Sequence, residues 1–247
     1  VDGPELRSRT GVLTETPAVD ERLTGYENLS IFGELYRVPE TKLPGRVEEL
    51  LNLFQLEDRA GDRVSEYSKG MKQKLALARA LIHEPELLFL DEPTAGLDPV
   101  ITRQVHDLIR GLSKTGDRTV FLCTHNLDEA QRLCDRVALL QNGRMIALGS
   151  PAELAREIWP GVHLKIETRS DSVESTVDAL ETFSGVSDLE KSNESGVIDL
   201  SLTDRDRIPD LVTHLVRSDV PIFSLMRQEP TLEDVYFALN ADVRRKQ

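Results

Sequence analysis

The chain has 247 residues, a formal net charge of -13, 39% hydrophobic and 5% aromatic residues. That length and apolar content give a globular chain with room for two domains and exclude a disordered polymer. The acidic balance argues against nonspecific nucleic-acid binding, which depends on Lys and Arg at phosphates, and no apolar run approaches the roughly 20 residues of a membrane-spanning helix. The 2 cysteines, Cys123 and Cys134, form no CxxC pair. Reduced, buried thiols are therefore expected, rather than a disulfide or a metal site. The opening VDGPELRSRT is polar and has no leader pattern, so a cytoplasmic location is expected.

In chain order, a polar turn region follows Glu15. It leads to a helix carrying Leu29, Ile31, Phe32, Leu35 and Tyr36, of which Leu29, Phe32 and Tyr36 follow helical spacing. Ser68 is a good N-cap for a Leu- and Ala-rich helix over 68–83. The run at 87–90, LLFL, is apolar on both faces, as a central strand buried between helix layers should be. A helix over 99–113, a strand over 119–124 and a helix over 127–133 follow. Strands over 136–141 and 145–148 flank Asn142-Gly143, a strong hairpin signal. Alternation of this kind predicts an α/β layer fold. Trp159-Pro160-Gly161 breaks the pattern. The expected division is a domain at 1–159, with a helical subdomain at about 26–83, and a second domain at 160–247.

The second domain has another rhythm. Strands over 163–168, 186–191, 197–202 and 222–226 are interleaved with helices over 173–183 and 205–217. That is the strand–helix–strand–strand–helix–strand order of a small α+β ferredoxin-like fold. A last helix, over 231–239, follows Pro230. No His, Cys or carboxylate cluster marks a site there, and a regulatory or dimer-forming appendage is expected.

The chemistry gathers around FLDEPTAGLD at 89–98. A carboxylate at the C-terminal end of a central strand projects into the crevice where α/β sheets bind ligands. Asp91 there can hold Mg²⁺, and Glu92 can orient or deprotonate an attacking water. Hydrolysis of a phosphoanhydride needs both roles. On these two residues alone, a polar strand end is the better reading. Upstream, Ser68 and Gly70 of YSKGM begin a helix whose N-terminus suits an anion. Downstream, Thr124-His125 ends the next strand, and a histidine there can hydrogen-bond a γ-phosphate.

Together, in this order, these residues resemble the ATP-binding cassette (ABC) ATPases. YSKGM looks like the signature motif, LLFLDEP like the Walker B strand with its glutamate, AGLD like the D-loop, and TH like the switch histidine. Tyr67, Lys69 and Met71 depart from the commonest signature, whereas Ser68 and Gly70 are kept. The resemblance implies ATP and Mg²⁺ as cofactors, a P-loop NTPase-like cassette, and ATP hydrolysis coupled to transport. It implies Glu92 and His125 as catalytic residues, Asp91 as the Mg²⁺ ligand, and Ser68, Gly70 and Asp98 at the nucleotide. Glu15 takes the usual glutamine-loop position, where its carboxylate reaches the nucleotide, a metal or water. The implied partners are an integral membrane permease and a second ATPase subunit paired head to tail, with no nucleic acid. The implied location is the inner face of the cell membrane, reached through the permease.

PTLEDVY at 230–236 resembles the close of ABC-2-type exporters. The segment at 15–37 would form the groove for the permease's cytoplasmic helix, with Glu21, Arg22 and Glu27 at exposed positions. No G-x-x-x-x-G-K-[ST] phosphate loop occurs in the sequence. An N-terminally incomplete reading of a longer protein is the expectation. The alternatives are a non-catalytic paralogue supplying only the signature half-site of a partner, and a soluble ABC ATPase outside transport.

Overall fold

The computed structural model describes residues 3–114, 118–192 and 194–245. By contacts the chain separates into two compact units, Val1–Cys134 and Asp135–Gln247.

The first unit opens with a short helix α1 (Gly3–Ser8) and strand β1 (Thr10–Leu13), followed by α2 (Gly25–Leu35) and α3 (Leu43–Leu53). Then come α4 (Lys69–Ala80), β2 (Leu87–Asp91), α5 (Pro99–Lys114), β3 (Thr119–Cys123) and α6 (Leu127–Leu133). Local sequence sets each helix start. Thr24 caps α2 in a reciprocal capping box with Glu27. A proline in the first turn suits α3, and the Ser68 hydroxyl accepts from the Met71 amide at the start of α4. The inward faces of α2, α3 and α4 contribute Leu29, Val47, Leu50 and Leu75 to one core with Leu88 and Leu90 of the sheet.

The sheet is parallel, in the order β1-β2-β3, with Leu13 beside Leu90 and Leu90 beside Leu122. Burial of the central strand on both faces is not what the structure shows. Leu88 and Leu90 are sealed, but the alternate face carries Val12 at 47%, Phe89 at 40% and Phe121 at 50% exposure. Phe89 and Phe121 stack with centroids 4.9 Å apart. The helices described in this unit cover only the Leu88 side. Cys123 and Cys134 are not joined in a disulfide, and neither is buried; Cys123 ends β3 in phase with Phe121 on the uncovered face.

The second unit begins with the hairpin β4 (Val137–Gln141) and β5 (Arg144–Gly149), then α7 (Pro151–Ile158). The hairpin turns at Asn142 and Gly143, both at positive φ. Next come β6 (Val162–Thr168), α8 (Val173–Thr182), β7 (Val186–Lys191), β8 (Val197–Leu202), α9 (Ile208–Arg217), β9 (Ile222–Gln228) and α10 (Leu232–Arg245). The sheet order β7-β8-β6-β9, antiparallel throughout, is the expected ferredoxin-like arrangement. Leu164, Ile166, Leu200, Leu211 and Leu215 form its core. The contact division at 134/135 lies earlier than the sequence break at 159. The hairpin and α7 group with the second unit because α7 packs on α10 and on β5.

Candidate active site

All three strands of the first sheet run the same way, so their C-terminal ends share one edge. Leu13 leads to Thr14-Glu15, Asp91 to Glu92, and Cys123 to Thr124-His125. An edge of this kind is where open α/β sheets bind ligands.

Glu92 sits in the left-handed region at φ 47°, a conformation that costs a non-glycine residue roughly 1–3 kcal/mol. Its amide donates to the Cys123 carbonyl at 2.9 Å, tying the β2 exit to the β3 exit. The turned backbone brings the carboxylate under His125. Glu92 Oε1 accepts from the His125 amide at 2.8 Å and from its Nδ1–H at 2.7 Å. Thr124 Oγ1 lies 3.5 Å from Glu92 Oε2, a weak contact that leaves this oxygen open to a further donor such as water. The hydrogen bond to Glu92, and then its charge, raise the His125 pKa above the ordinary imidazole value. Glu129 and Glu15 add to the rise electrostatically, which brings Glu15 into the same field.

Ser68 and Gly70 lie at the start of α4, and α4 is bonded to the turn after Glu92. Buried Gln73 donates from Nε2 to the Pro93 carbonyl at 2.8 Å. Gly70 packs so closely on α5 that a Cβ would stand 2.9 Å from Ile101 Cγ2. Asp98 caps α5, its Oδ1 accepting from the Val100 and Ile101 amides, both at 3.0 Å. Glu129, 1% exposed, accepts from Thr94 Oγ1 at 2.7 Å and faces His106 Nε2 at 3.0 Å. It thereby links α6 to the turn after Glu92 and to α5. Gln73, Thr94, His106 and Glu129 were not singled out from sequence. For Gln73 there was a signal: a polar residue inside the buried Leu–Ala face of an amphipathic helix.

Among the described residues no group of three or more His, Cys, Asp or Glu could hold a metal by itself. Mg²⁺ is commonly held by one or two carboxylates, with waters and phosphates completing its shell. Exposed Asp91 has no hydrogen-bond or ion-pair partner among the described residues, so its oxygens are free for a hard cation. The residues present fit that ion.

Residues 18–35 form a separate concavity of about 550 Å³, lined by Ala18, Asp20, Glu21, Arg22, Ile31 and Leu35, among others. Leu29 and Phe32 face the core, while Ile31 and Leu35 are exposed. The three charged positions are not loose. Glu21 pairs with Lys72 at 2.5 Å, Arg22 with Asp20 at 2.7 Å, and Glu27 belongs to the α2 capping box.

The family model described as "ABC transporter" matches residues 2–95. A fluoroquinolones export ATP-binding protein of Mycobacterium tuberculosis is 50% identical over 152 residues, covering 62% of this chain and 49% of that protein. The chain therefore matches about half of that relative's length. A daunorubicin resistance ATP-binding protein of Streptomyces coeruleorubidus is 36% identical over 241 residues, covering 97% of this chain and 75% of the relative. Among solved structures, an ATP-binding subunit of an ABC transporter superposes with a TM-score of 0.56 at 36% identity, covering 63% of this chain and 65% of that one.

Proposed function

The chain belongs to the ABC transporter ATP-binding family, and from that premise we propose that the intact protein hydrolyses MgATP to drive export through a separate membrane permease. The observation that carries the reading is the convergence of Asp91, Glu92 and His125 on one sheet edge, with the Ser68 helix bonded to the same turn through Gln73 and Pro93. Glu92 positions the attacking water through Oε2 and takes its proton. His125, held by Glu92 Oε1, presents its ring toward the γ-phosphate. Ser68 and Gly70 present a helix N-terminus to the phosphates of a nucleotide held by a second subunit. Asp98 sets the D-loop by capping α5, and Glu15 stands at the rim of the same edge. Asp91 would hold Mg²⁺, with Glu15 a second candidate ligand, and the ion would neutralise phosphate charge when bound.

The sequence has no lysine-bearing phosphate loop, and the account needs one. Support for further polypeptide comes from the sheet itself. Parallel sheets are covered on both faces, whereas Val12, Phe89 and Phe121 leave one apolar face open. The phosphate loop and a covering helix are proposed to belong to that polypeptide. The concavity at 18–35 is the proposed seat of the permease's cytoplasmic helix, and the ferredoxin-like unit a regulatory or dimer-forming appendage. Among the described residues no helix is long and apolar enough to cross a membrane, which fits a subunit held at the inner face by its permease. The Mycobacterium relative, named as a fluoroquinolones export ATP-binding protein, supports export as the direction.

The test is ATP turnover by the intact protein and by the 247-residue chain, measured side by side. The intact protein is expected to turn over, and the chain alone to bind MgATP weakly and hydrolyse it negligibly. Ordinary turnover by the chain alone would contradict the proposed division of labour.

A further inference from the structure

A second cavity, of about 510 Å³, lies in the first unit away from the sheet edge. It is formed by the C-terminal end of α3, the middle of α4, one side of α5 and the residue before β3. Its volume falls within the roughly 300–1,000 Å³ usual for small-molecule sites. Leu53, Phe54 and Leu108 give it an apolar wall, and Lys74, Gln104 and Arg118 bring polar groups to it.

Two of those groups lack partners. Lys74 is 7% exposed, yet it makes no hydrogen bond or ion pair among the described residues. Gln104 Oε1 is buried without a hydrogen-bond partner. The Lys74 stem is buried while its ammonium stays accessible and unpaired among the described residues, and the buried Gln104 oxygen carries a cost that a bonding partner removes. Arg118 is already engaged, donating from Nε to the Pro85 carbonyl at 3.2 Å. Asp107, the carboxylate on the wall, is turned to Arg110 at 3.7 Å.

We propose that this cavity binds an amphipathic monocarboxylate, with its carboxylate at Lys74, a neighbouring hydroxyl or N–H at Gln104 Oε1, and its apolar body against Phe54 and Leu108. Each part answers a stated feature. The anion meets the Lys74 ammonium, which has no partner among the described residues, the donor meets the orphaned oxygen, and the body fills the apolar remainder. Burial lowers the Lys74 pKa, and Glu57 only partly opposes this. An anion in the cavity would supply the charge compensation that Glu57 does not. The site joins the two helices that begin at Ser68 and Asp98, so an occupant would contact both without touching Glu92 or His125.

The experiment titrates the full chain with 2-hydroxyoctanoate, and with 1-octanol as the uncharged comparator, by calorimetry and by NMR of labelled side chains. Saturable binding of 2-hydroxyoctanoate is expected, with shifts at Lys74, Gln104 and Leu108. Lys74→Met should weaken it by about tenfold or more, the factor that follows from losing a hydrogen bond to a charged group, while octanol binding stays unchanged. Gln104→Leu, which removes the orphaned oxygen and keeps the fold without Lys74 being altered, should weaken 2-hydroxyoctanoate while leaving octanol unaffected. The proposal is overturned if octanol binds as tightly as 2-hydroxyoctanoate. It is equally overturned if both variants bind like the wild type, or if no saturable binding is seen.

Discussion

Replacing Gln73 by leucine tests how α4 is joined to the turn that bears Glu92. Leucine keeps the approximate size of the side chain at a position that is 4% exposed, so the packing loss is small. What disappears is the 2.8 Å bond to the Pro93 carbonyl, which has no other donor among the described residues. Leaving a buried carbonyl unpaired costs about 1–3 kcal/mol. In a chain of this size each kcal/mol lowers Tm by about 2–4 °C. Thermal and urea unfolding of wild type and Gln73→Leu, compared under identical conditions, should show that loss. In the intact protein the turn bearing Glu92 also loses its anchor on α4, so kcat should fall more than KM changes. A variant that unfolds with the wild type and keeps its kcat would show that the α4–turn bond is unimportant for both.

Two other outcomes are expected. The raised pKa of His125 means that its contact with Glu92 stabilises the fold fully below the ordinary imidazole value of about 6.5 and fades as pH rises through the raised value. The stability gap between wild type and His125→Ala should therefore be wider in mildly acid than in alkaline buffer, and a gap independent of pH would contradict the assignment. For permease docking, Leu35→Glu is a cleaner probe than reversing Glu21 or Glu27, because Leu35 is 69% exposed whereas those two hold Lys72 and the α2 cap. Leu35→Glu should weaken co-purification with the membrane subunit and leave the ATPase rate of the isolated intact subunit within about twofold, as a surface change far from such features does. Undiminished co-purification would place the docking site elsewhere.

Much of the fold could be read from local pattern. Strand 87–91, the Asn142-Gly143 hairpin and the ferredoxin-like order each rest on contiguous residues whose periodicity or turn chemistry is visible. Strand β1 was not legible. It is four residues long, and Gly11 weakens its strand character. The structure shows why glycine stands there: a Cβ would fall 2.2 Å from the Ala80 carbonyl, where the end of α4 meets the strand. The uncovered sheet face was illegible for a related reason, since an apolar run looks the same whether one face or two are covered. At the site, Asp91, Glu92, Ser68 and His125 announced themselves through motifs. The bonds Gln73–Pro93 and Thr94–Glu129–His106 join residues 20–35 positions apart, and only the folded chain brings them together.

The central claim is that Glu92 takes the proton from water during ATP hydrolysis. Its most direct test is the single-turnover rate of the intact protein and of Glu92→Gln with MgATP. The glutamine keeps the shape of the side chain and an oxygen for the His125 amide, so nucleotide affinity should persist. The rate should fall by roughly 10²–10⁴-fold, the usual contribution of a positioned general base, and an ATP-stabilised dimer should accumulate. Hydrolysis at the wild-type rate by Glu92→Gln would contradict the account.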